Sequence, residues 1–440
     1  MIRRTIGSAS VALLCGVFGL AGCGSSSDSG TNPQSNGGTG TANGGSSATS
    51  GGSSSSAGTS AGGHPSLGGS GGTPALGGSG PMAGGSSGAQ PAGGSAGASG
   101  GSAGGSGGAA GAGGAGGKQT ACNFASGLNV AWVKFANDVP NPDLATFDTI
   151  FKNTHDAGGR VVRWWFHTNG TVTPGYGADG KALAITQSHI DGVKAILASA
   201  HKAGIGLVIS LWSFDMLQDN AGAAHTNNQA LLENDDNRKA YIDRYLTPLV
   251  TALKGTPGLY SYEVFNEPEG MLPNPKGWAT YRTTEAAIQK TVNWCAAAIH
   301  AADPNVLVTS SAVTFDYCSN VSGKTNYYSD AQLRQVGGKQ DGTLDYYEVH
   351  YYAANGSSNS AFTRSASDWG LDKKLVMGEF AAATTDGVMQ NDLGKYLYEH
   401  GYNGGWAWSY DADWPWPAEQ GPLQTLYAAH ADVGNCPVTP

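Results

Sequence analysis

The chain is poor in charge, with 24 Lys and Arg against 33 Asp and Glu in 440 residues. The shortage is uneven. Residues 24–117 carry one charged side chain, Asp28, and no aromatic residue, yet hold 36 of the 69 glycines. All 11 Trp and all 18 Tyr lie after residue 117. A segment with so little bulky apolar surface cannot offset the entropy of ordering its backbone, so it builds no core. The chain also lacks the long apolar runs of a multi-span membrane protein, each of which needs ~20 residues. A basic surface is missing as well. The formal charge of −9 becomes −10 for residues 118–440 once Arg3, Arg4 and Asp28 are set aside. That argues against a nucleic-acid partner. Residues 118–440 are too many for a small disulfide scaffold and suit one large domain of the α/β-barrel size class.

Residues 1–23 read as an export signal. Arg3 and Arg4 precede an apolar run from Val11 to Leu20, which has the length of a signal h-region. The run ends in Leu20-Ala21-Gly22-Cys23, which resembles a bacterial lipobox. That resemblance implies lipidation at Cys23 and a membrane partner through the lipid anchor. Gly24 rather than Asp after Cys23 favours the outer membrane and cell surface in a diderm host. Secretion without an anchor is the alternative. Residues 24–117 then read as a disordered Gly/Ser/Ala-rich tether, with an average reach on the order of 50 Å for about 94 residues.

Four cysteines follow the tether: Cys122, Cys295, Cys318 and Cys436. In an exported domain an even number suggests two disulfides, with three pairings open. Cys122–Cys436 is favoured because a closed barrel brings its chain ends together, and Cys295–Cys318 then follows. Their spacing does not match a zinc site, and no Asp-rich run demands calcium, so no metal or cofactor is expected.

From residue 128 short β-branched or aromatic runs alternate with amphipathic stretches. Strands are expected at 128–133, 160–166, 206–212, 259–266, 305–310, 344–350, 375–379 and 404–409. Helical patterns include 187–203, 238–254, 278–301 and 388–400, with Gly204 and Pro304 as stop signals. Eight such units, and no Gly-x-Gly-x-x-Gly turn between a strand and a helix, argue for an α/β fold of the (β/α)8 TIM barrel type over a dinucleotide fold. In such a barrel the chemistry sits at the C-terminal ends of strands. Those ends supply Arg163, Trp164, Trp165 and His167 from the second strand and Trp212 from the third. The fourth adds Asn266, Glu267 and Pro268, the sixth His350 and Tyr352, the seventh Glu379 and the eighth Trp408. Strict alternation puts Arg163, Trp165 and His167 on one face, and likewise His350 and Tyr352. It sets Asn266 and Glu267 on opposite faces, unless the strand ends there.

Two carboxylates across a barrel mouth, among indoles and phenols, suit glycosidic bond hydrolysis. Asn266-Glu267-Pro268 after a β-run, Glu379 ending a later strand, Arg163, His350-x-Tyr352 and Trp408, in this order, resemble clan A glycoside hydrolases, and family 5 most closely. The resemblance covers about residues 123–430. It implies Glu267 as general acid/base, Glu379 as nucleophile, Asn266 on the sugar 2-hydroxyl and Trp408 as floor of the cleavage subsite. Arg163 and Tyr352 bracket Glu379 and keep it ionised, and His350, Trp212 and His167 join the substrate-binding set. Trp414-Pro415-Trp416 is a candidate outer subsite. The expected activity is that of a monomeric retaining endo-β-glycanase acting on a β-linked polysaccharide. A general likeness of residues 208–212 and 378–380 to mannanases favours β-1,4-mannan, with an endo-β-1,4-glucanase as the alternative. A non-catalytic surface carbohydrate binder is the reading from a different class, and it predicts the loss of a catalytic carboxylate.

Overall fold

The computed structural model describes residues 123–410 and 417–436. The signal 1–23 with Cys23, the tether 24–117, Cys122 and Trp414-Pro415-Trp416 lie outside the described residues.

The parallel strands are β1 (Ala125–Ala131), β2 (Val161–Thr168), β3 (Gly206–Ser213), β4 (Leu259–Asn266), β5 (Leu307–Thr309), β6 (Ser311–Ala312), β7 (Tyr347–Tyr351), β8 (Leu375–Ala381) and β9 (Gly404–Trp408). They run side by side in the order β5-β4-β3-β2-β1-β9-β8-β7-β6. The two edge strands are separated in sequence by Ser310 alone. They are therefore halves of one barrel strand, and the ladder returns on itself as the expected (β/α)8 barrel. Hydrophobic side chains pack in two places. The larger core joins the strands' outer faces to the helices. A smaller plug of Val161, Val208, Tyr260, Leu307, Tyr346, Val376 and Trp406 forms a separate cluster. The buried contact of Ser261 Oγ on β4 with Tyr346 Oη, just before β7, spans 2.9 Å and runs through the barrel interior at that level.

The helices form for ordinary reasons. In α1 (Leu144–Asp156) Asp143 caps the N-terminus by accepting from Thr146 N–H. In α2 (Gln187–Lys202) Ile190, Val193, Ile196, Leu197 and Ala200 form the i, i+3, i+4 stripe that faces the barrel, and Thr186 caps it. Gly204 follows with φ +71°, the left-handed stop expected of it. The 238–254 pattern is one rod broken in character: α-helix, a π turn at Ile242–Leu246, then α-helix again. Pro248 lacks the N–H that would bond the Arg244 carbonyl, and Ile185 N–H occupies that carbonyl instead at 3.0 Å. The helix expected from Trp278 begins only at Glu285, where Thr284 caps it. Trp278 lies in a loop, half exposed.

The cysteines correct one expectation. Cys436 is disulfide-bonded. Cys295 and Cys318 are free and buried, so no bridge joins them. Cys295 faces Tyr241 from the long helix, whereas Cys318 sits beside Glu269 and Tyr328 in the loop after β6. Burial raises both thiols and makes them inert. Alkylation of the native protein should therefore spare Cys295 and Cys318, and alkylation after unfolding without reductant should label them and leave Cys436 unlabelled. Peptide mass mapping checks this, and a Cys295–Cys318 crosslinked peptide would refute it.

Candidate active site

The site is assembled around Arg163, which is fully buried inside the barrel. Its guanidinium reaches side chains from four other strands. Nε and Nη2 donate to the two carboxylate oxygens of Glu263 at 2.6 and 2.8 Å. Nη1 donates to Glu379 Oε1 at 2.8 Å and to Asn129 Oδ1 at 2.9 Å. Nη2 also donates to Asn266 Oδ1 at 2.7 Å, and lies 3.4 Å from Ser311 Oγ. Arg163 and Asn266 were expected here, whereas Asn129, Glu263 and Ser311 had been given no role.

Local backbone breaks aim these side chains. β4 ends at Asn266, and Glu267 is left-handed at φ 44°, ψ 53°. That turn lets two consecutive residues, Asn266 and Glu267, both reach the site, as the Pro268 break suggested. On β8 the register with β7 passes from Val349↔Met377 to His350↔Glu379, skipping Gly378. The bulge puts Glu379 inside the barrel next to Gly378, whose carbonyl accepts from Asn129 Nδ2 at 2.8 Å.

The result is two close carboxyl groups. Oxygens of Glu267 and Glu379 and a ring nitrogen of His350 all lie within 4.8 Å of one another. Glu379 is held on both oxygens, by Arg163 and by the Tyr352 hydroxyl at 2.8 Å. His350 Nδ1 is 2.9 Å from Glu267 Oε1. Burial, then the charge of Arg163, keeps the His350 ring neutral. Burial pushes Glu267 well above the ordinary glutamate value, and the charges of Glu379 and Glu269 add to it. Burial also pushes Glu379 up, to about 7, although Arg163 and Tyr352 pull the other way. Arg163 and Tyr352 thus do not outweigh burial, contrary to expectation, but they keep Glu379 the first of the pair to ionise. A carboxyl that holds its proton beside one that has lost it is what acid-assisted displacement at a sugar carbon requires. Among the described residues this trio is also the one His and carboxylate cluster tight enough for a cation, which would compete for the same oxygens.

An aromatic wall flanks the pair. Trp165 lies 5.6 Å from Trp408 and 5.5 Å from Trp132, which meets Phe135 at 4.8 Å, ring centre to ring centre. Neither Trp132 nor Phe135 had been given a role, and Trp132 was expected inside a first strand running through Val133. Ala131 at φ 46° ends it earlier and releases both into a loop.

The profile of the family described as Cellulase (glycosyl hydrolase family 5) matches residues 118–413. The chain belongs to glycosyl hydrolase family 5. It is 31% identical over 315 residues to a mannan endo-1,4-beta-mannosidase of Mytilus edulis, covering 66% of this chain and 85% of that protein. A second mannan endo-1,4-beta-mannosidase, from Cryptopygus antarcticus, is 30% identical, covering 66% and 81%. The X-ray structure of the beta-mannanase from the blue mussel Mytilus edulis superposes with a TM-score of 0.64 at 30% identity, over 69% of this chain and 92% of that one.

Within this family 5 domain, two expected substrate residues stand elsewhere. His167 is buried with both ring nitrogens occupied, by Thr173 Oγ1 at 2.7 Å and Tyr241 Oη at 3.1 Å. Trp212 is buried against His167 and Tyr241, with ring centres 4.6 and 5.5 Å away. Neither presents a surface to a sugar. The cause is a bulge after Trp165, where the β2–β3 register jumps from Trp165↔Ser210 to Thr168↔Trp212 and breaks the alternation that grouped His167 with Arg163.

Arg163 should tolerate no replacement. Lysine has three donors and no planar fork, so Arg163→Lys leaves some of Glu263, Glu379, Asn129 and Asn266 unpaired in the interior. Breaking a buried ion pair of this kind costs about 3–5 kcal/mol, and misplacing Glu379 lowers kcat/KM on the order of 10²-fold or more. Urea unfolding and steady-state kinetics read the two losses.

Proposed function

We propose that this chain is a retaining endo-β-1,4-mannanase, with Glu267 as general acid/base and Glu379 as nucleophile. The observation that carries the reading is the spacing and bracketing of the two carboxyls. Separations of ~5–5.5 Å belong to retaining enzymes, and those of ~6.5–9.5 Å, which leave room for a water, to inverting ones. The oxygens here come within 4.8 Å. The presence of both carboxylates speaks against a binding-only barrel. Mannan is favoured over the glucan alternative because the similar proteins are named as mannanases.

In this reading Glu379 attacks the anomeric carbon while Glu267 gives its proton to the departing glycosidic oxygen. Glu267 then removes a proton from the water that releases the sugar from Glu379. Trp408 forms the floor at the cleaved ring. One Asn266 Nδ2 hydrogen is directed to Ser213 Oγ at 3.3 Å, and the other is left for a sugar hydroxyl. His350 Nε2 is buried without a partner among the described residues, and Nδ1 lies against Glu267. Anchoring at the cell surface belongs to the same proposal and rests on Leu20-Ala21-Gly22-Cys23 and the tether behind it.

Reducing-end release on glucomannan, galactomannan, carboxymethyl cellulose and xylan tests the substrate. Activity on galactomannan without carboxymethyl cellulose is expected, and the reverse preference makes the protein an endoglucanase. For the roles, Glu379→Ala should lose hydrolysis, and azide should restore turnover of an activated substrate with an inverted glycosyl azide as product. A folded Glu379→Ala protein that azide does not rescue would remove Glu379 from the nucleophile role.

The pH profile follows from the two carboxyls. Activity falls as pH drops through the Glu379 value, because the protonated acid is no nucleophile. It falls again as pH rises through the higher Glu267 value, because the leaving oxygen then lacks a proton source. The acidic limb of kcat/KM should therefore lie above the ordinary glutamate value of 4.5 and no higher than about 7. A limb at or below 4.5 contradicts the burial argument.

A further inference from the structure

Behind the catalytic pair lies a third carboxyl that the mechanism does not use. Glu348, on β7 two residues before His350, is completely buried. Its Oε1 is 3.2 Å from Arg163 Nε, yet neither of its oxygens has a hydrogen-bond partner among the described residues. The reason is a shortage of donors. A guanidinium has five N–H groups. Those of Arg163 go to both oxygens of Glu263 and to Glu379, Asn129 and Asn266. None remains for Glu348. The chain makes room for this side chain at some cost in choice, since a Cβ on Gly378 would stand 2.2 Å from Glu348 Oε1. Any residue but glycine at the β8 bulge would displace it.

We propose that Glu348 is held as the neutral acid beneath Arg163, where it acts as a positioning residue that seats the guanidinium without competing for its charge. The proposal rests on the reading of Glu379 as nucleophile. The groups that face Glu348 are Arg163 from β2, Glu263 from β4, Glu379 and Gly378 from β8, and Tyr346 from its own side of the barrel. They offer one cation to three carboxyls. An ionised Glu348 would sit unsolvated and without donors, and would draw the guanidinium's charge away from Glu379. A protonated Glu348 carries no charge that needs a cation, and it leaves Arg163 to Glu263 and Glu379. Burial, then the charge of Glu263, pushes it in that direction. The consequence is a second alkaline limit on activity, separate from the acid Glu267, reached when Glu348 loses its proton.

Two measurements test this. In the first, protein labelled with ¹³C at the glutamate δ-carbon is observed at pH 8 in the Glu267→Gln background. A protonated carboxyl signal is expected there, and it should vanish when Glu348→Gln is added. Absence of the signal overturns the proposal without any need for the second variant to fold, and without reference to which residue is the nucleophile. In the second, kcat/KM is followed against pH with a dinitrophenyl β-mannobioside, whose departing phenolate needs no proton from Glu267. Glu348→Gln keeps a neutral side chain of the same shape, so the acidic limb should stay within about 0.3 unit of wild type while the alkaline limb rises by about one unit or more. An acidic limb lowered by about one unit or more would mean that a negative charge had been removed beside Glu379, and would overturn the proposal. An alkaline limb that does not move would overturn it as well.

Discussion

The structure depends on one buried cation. Arg163 is enclosed by the barrel, and every N–H it has is directed at a side chain from another strand, Glu379 among them. A guanidinium in a low-dielectric interior is tolerated only when paired and hydrogen-bonded in full, so its partners are fixed as strictly as it is. Asn129 shows how far the constraint spreads. Its carbonyl oxygen takes Arg163, and its amide nitrogen donates to the carbonyls of Gly378 and Trp406, at 2.8 and 3.1 Å. One asparagine thus ties the cation to the bulge that aims Glu379 and to the strand that ends in Trp408. The geometry of Glu379 and the barrel's closure are secured by the same hydrogen bonds.

Much of this was legible from residue order. The β-α repeat gave the barrel, and Asn266-Glu267-Pro268, Arg163, His350, Tyr352 and Glu379 do meet at its mouth. The errors in where side chains point share a cause. Alternation with period two assumes an unbroken strand, and here the functional strands are broken at their C-terminal ends. A bulge on β2 turned His167 away, a bulge on β8 brought Glu379 in, and a left-handed Glu267 and Ala131 ended β4 and β1. Such breaks leave little trace in a single sequence, because only Gly378 and Pro268 mark them. Glu263 and Glu348 were missed for another reason. A glutamate inside an apolar strand is informative only when its cation is known, and Arg163 lies 100 residues before Glu263 and farther still from Glu348. The Cys295–Cys318 pairing failed because even counts suggest bridges without locating the thiols, and these two lie in separate surroundings.

The charges at the site make sense only together. Glu263, Glu348, Glu379 and Glu267 gather around one guanidinium, with His350 neutral between the last two. Full ionisation of four carboxyls against one cation is untenable in this interior. Protons must remain, and the question is where. Glu263 has the bidentate grip of Arg163, and Glu379 has donors on both oxygens. Glu267 has only the His350 contact at 2.9 Å for its Oε1 and lies next to the charge of Glu379. Between Glu379 and Glu267, donors therefore decide the order of ionisation, and Glu267, with fewer, keeps the proton that the proposed mechanism gives to the leaving group.

In the proposed mechanism that arrangement also accounts for how Glu267 serves as acid and then as base. After burial, the largest influence holding the proton on Glu267 is the negative charge of Glu379. When Glu379 becomes an ester of the sugar, that charge is gone, and the affinity of Glu267 for a proton falls with it. Glu267 has just given its proton to the departing sugar, and it now stands ionised, ready to take one from water. Release of the sugar restores the charge on Glu379 and with it the affinity of Glu267 for the proton it has taken. In this reading the cycle runs on two carboxyls close enough to feel each other's charge and on an Arg163 that holds Glu379.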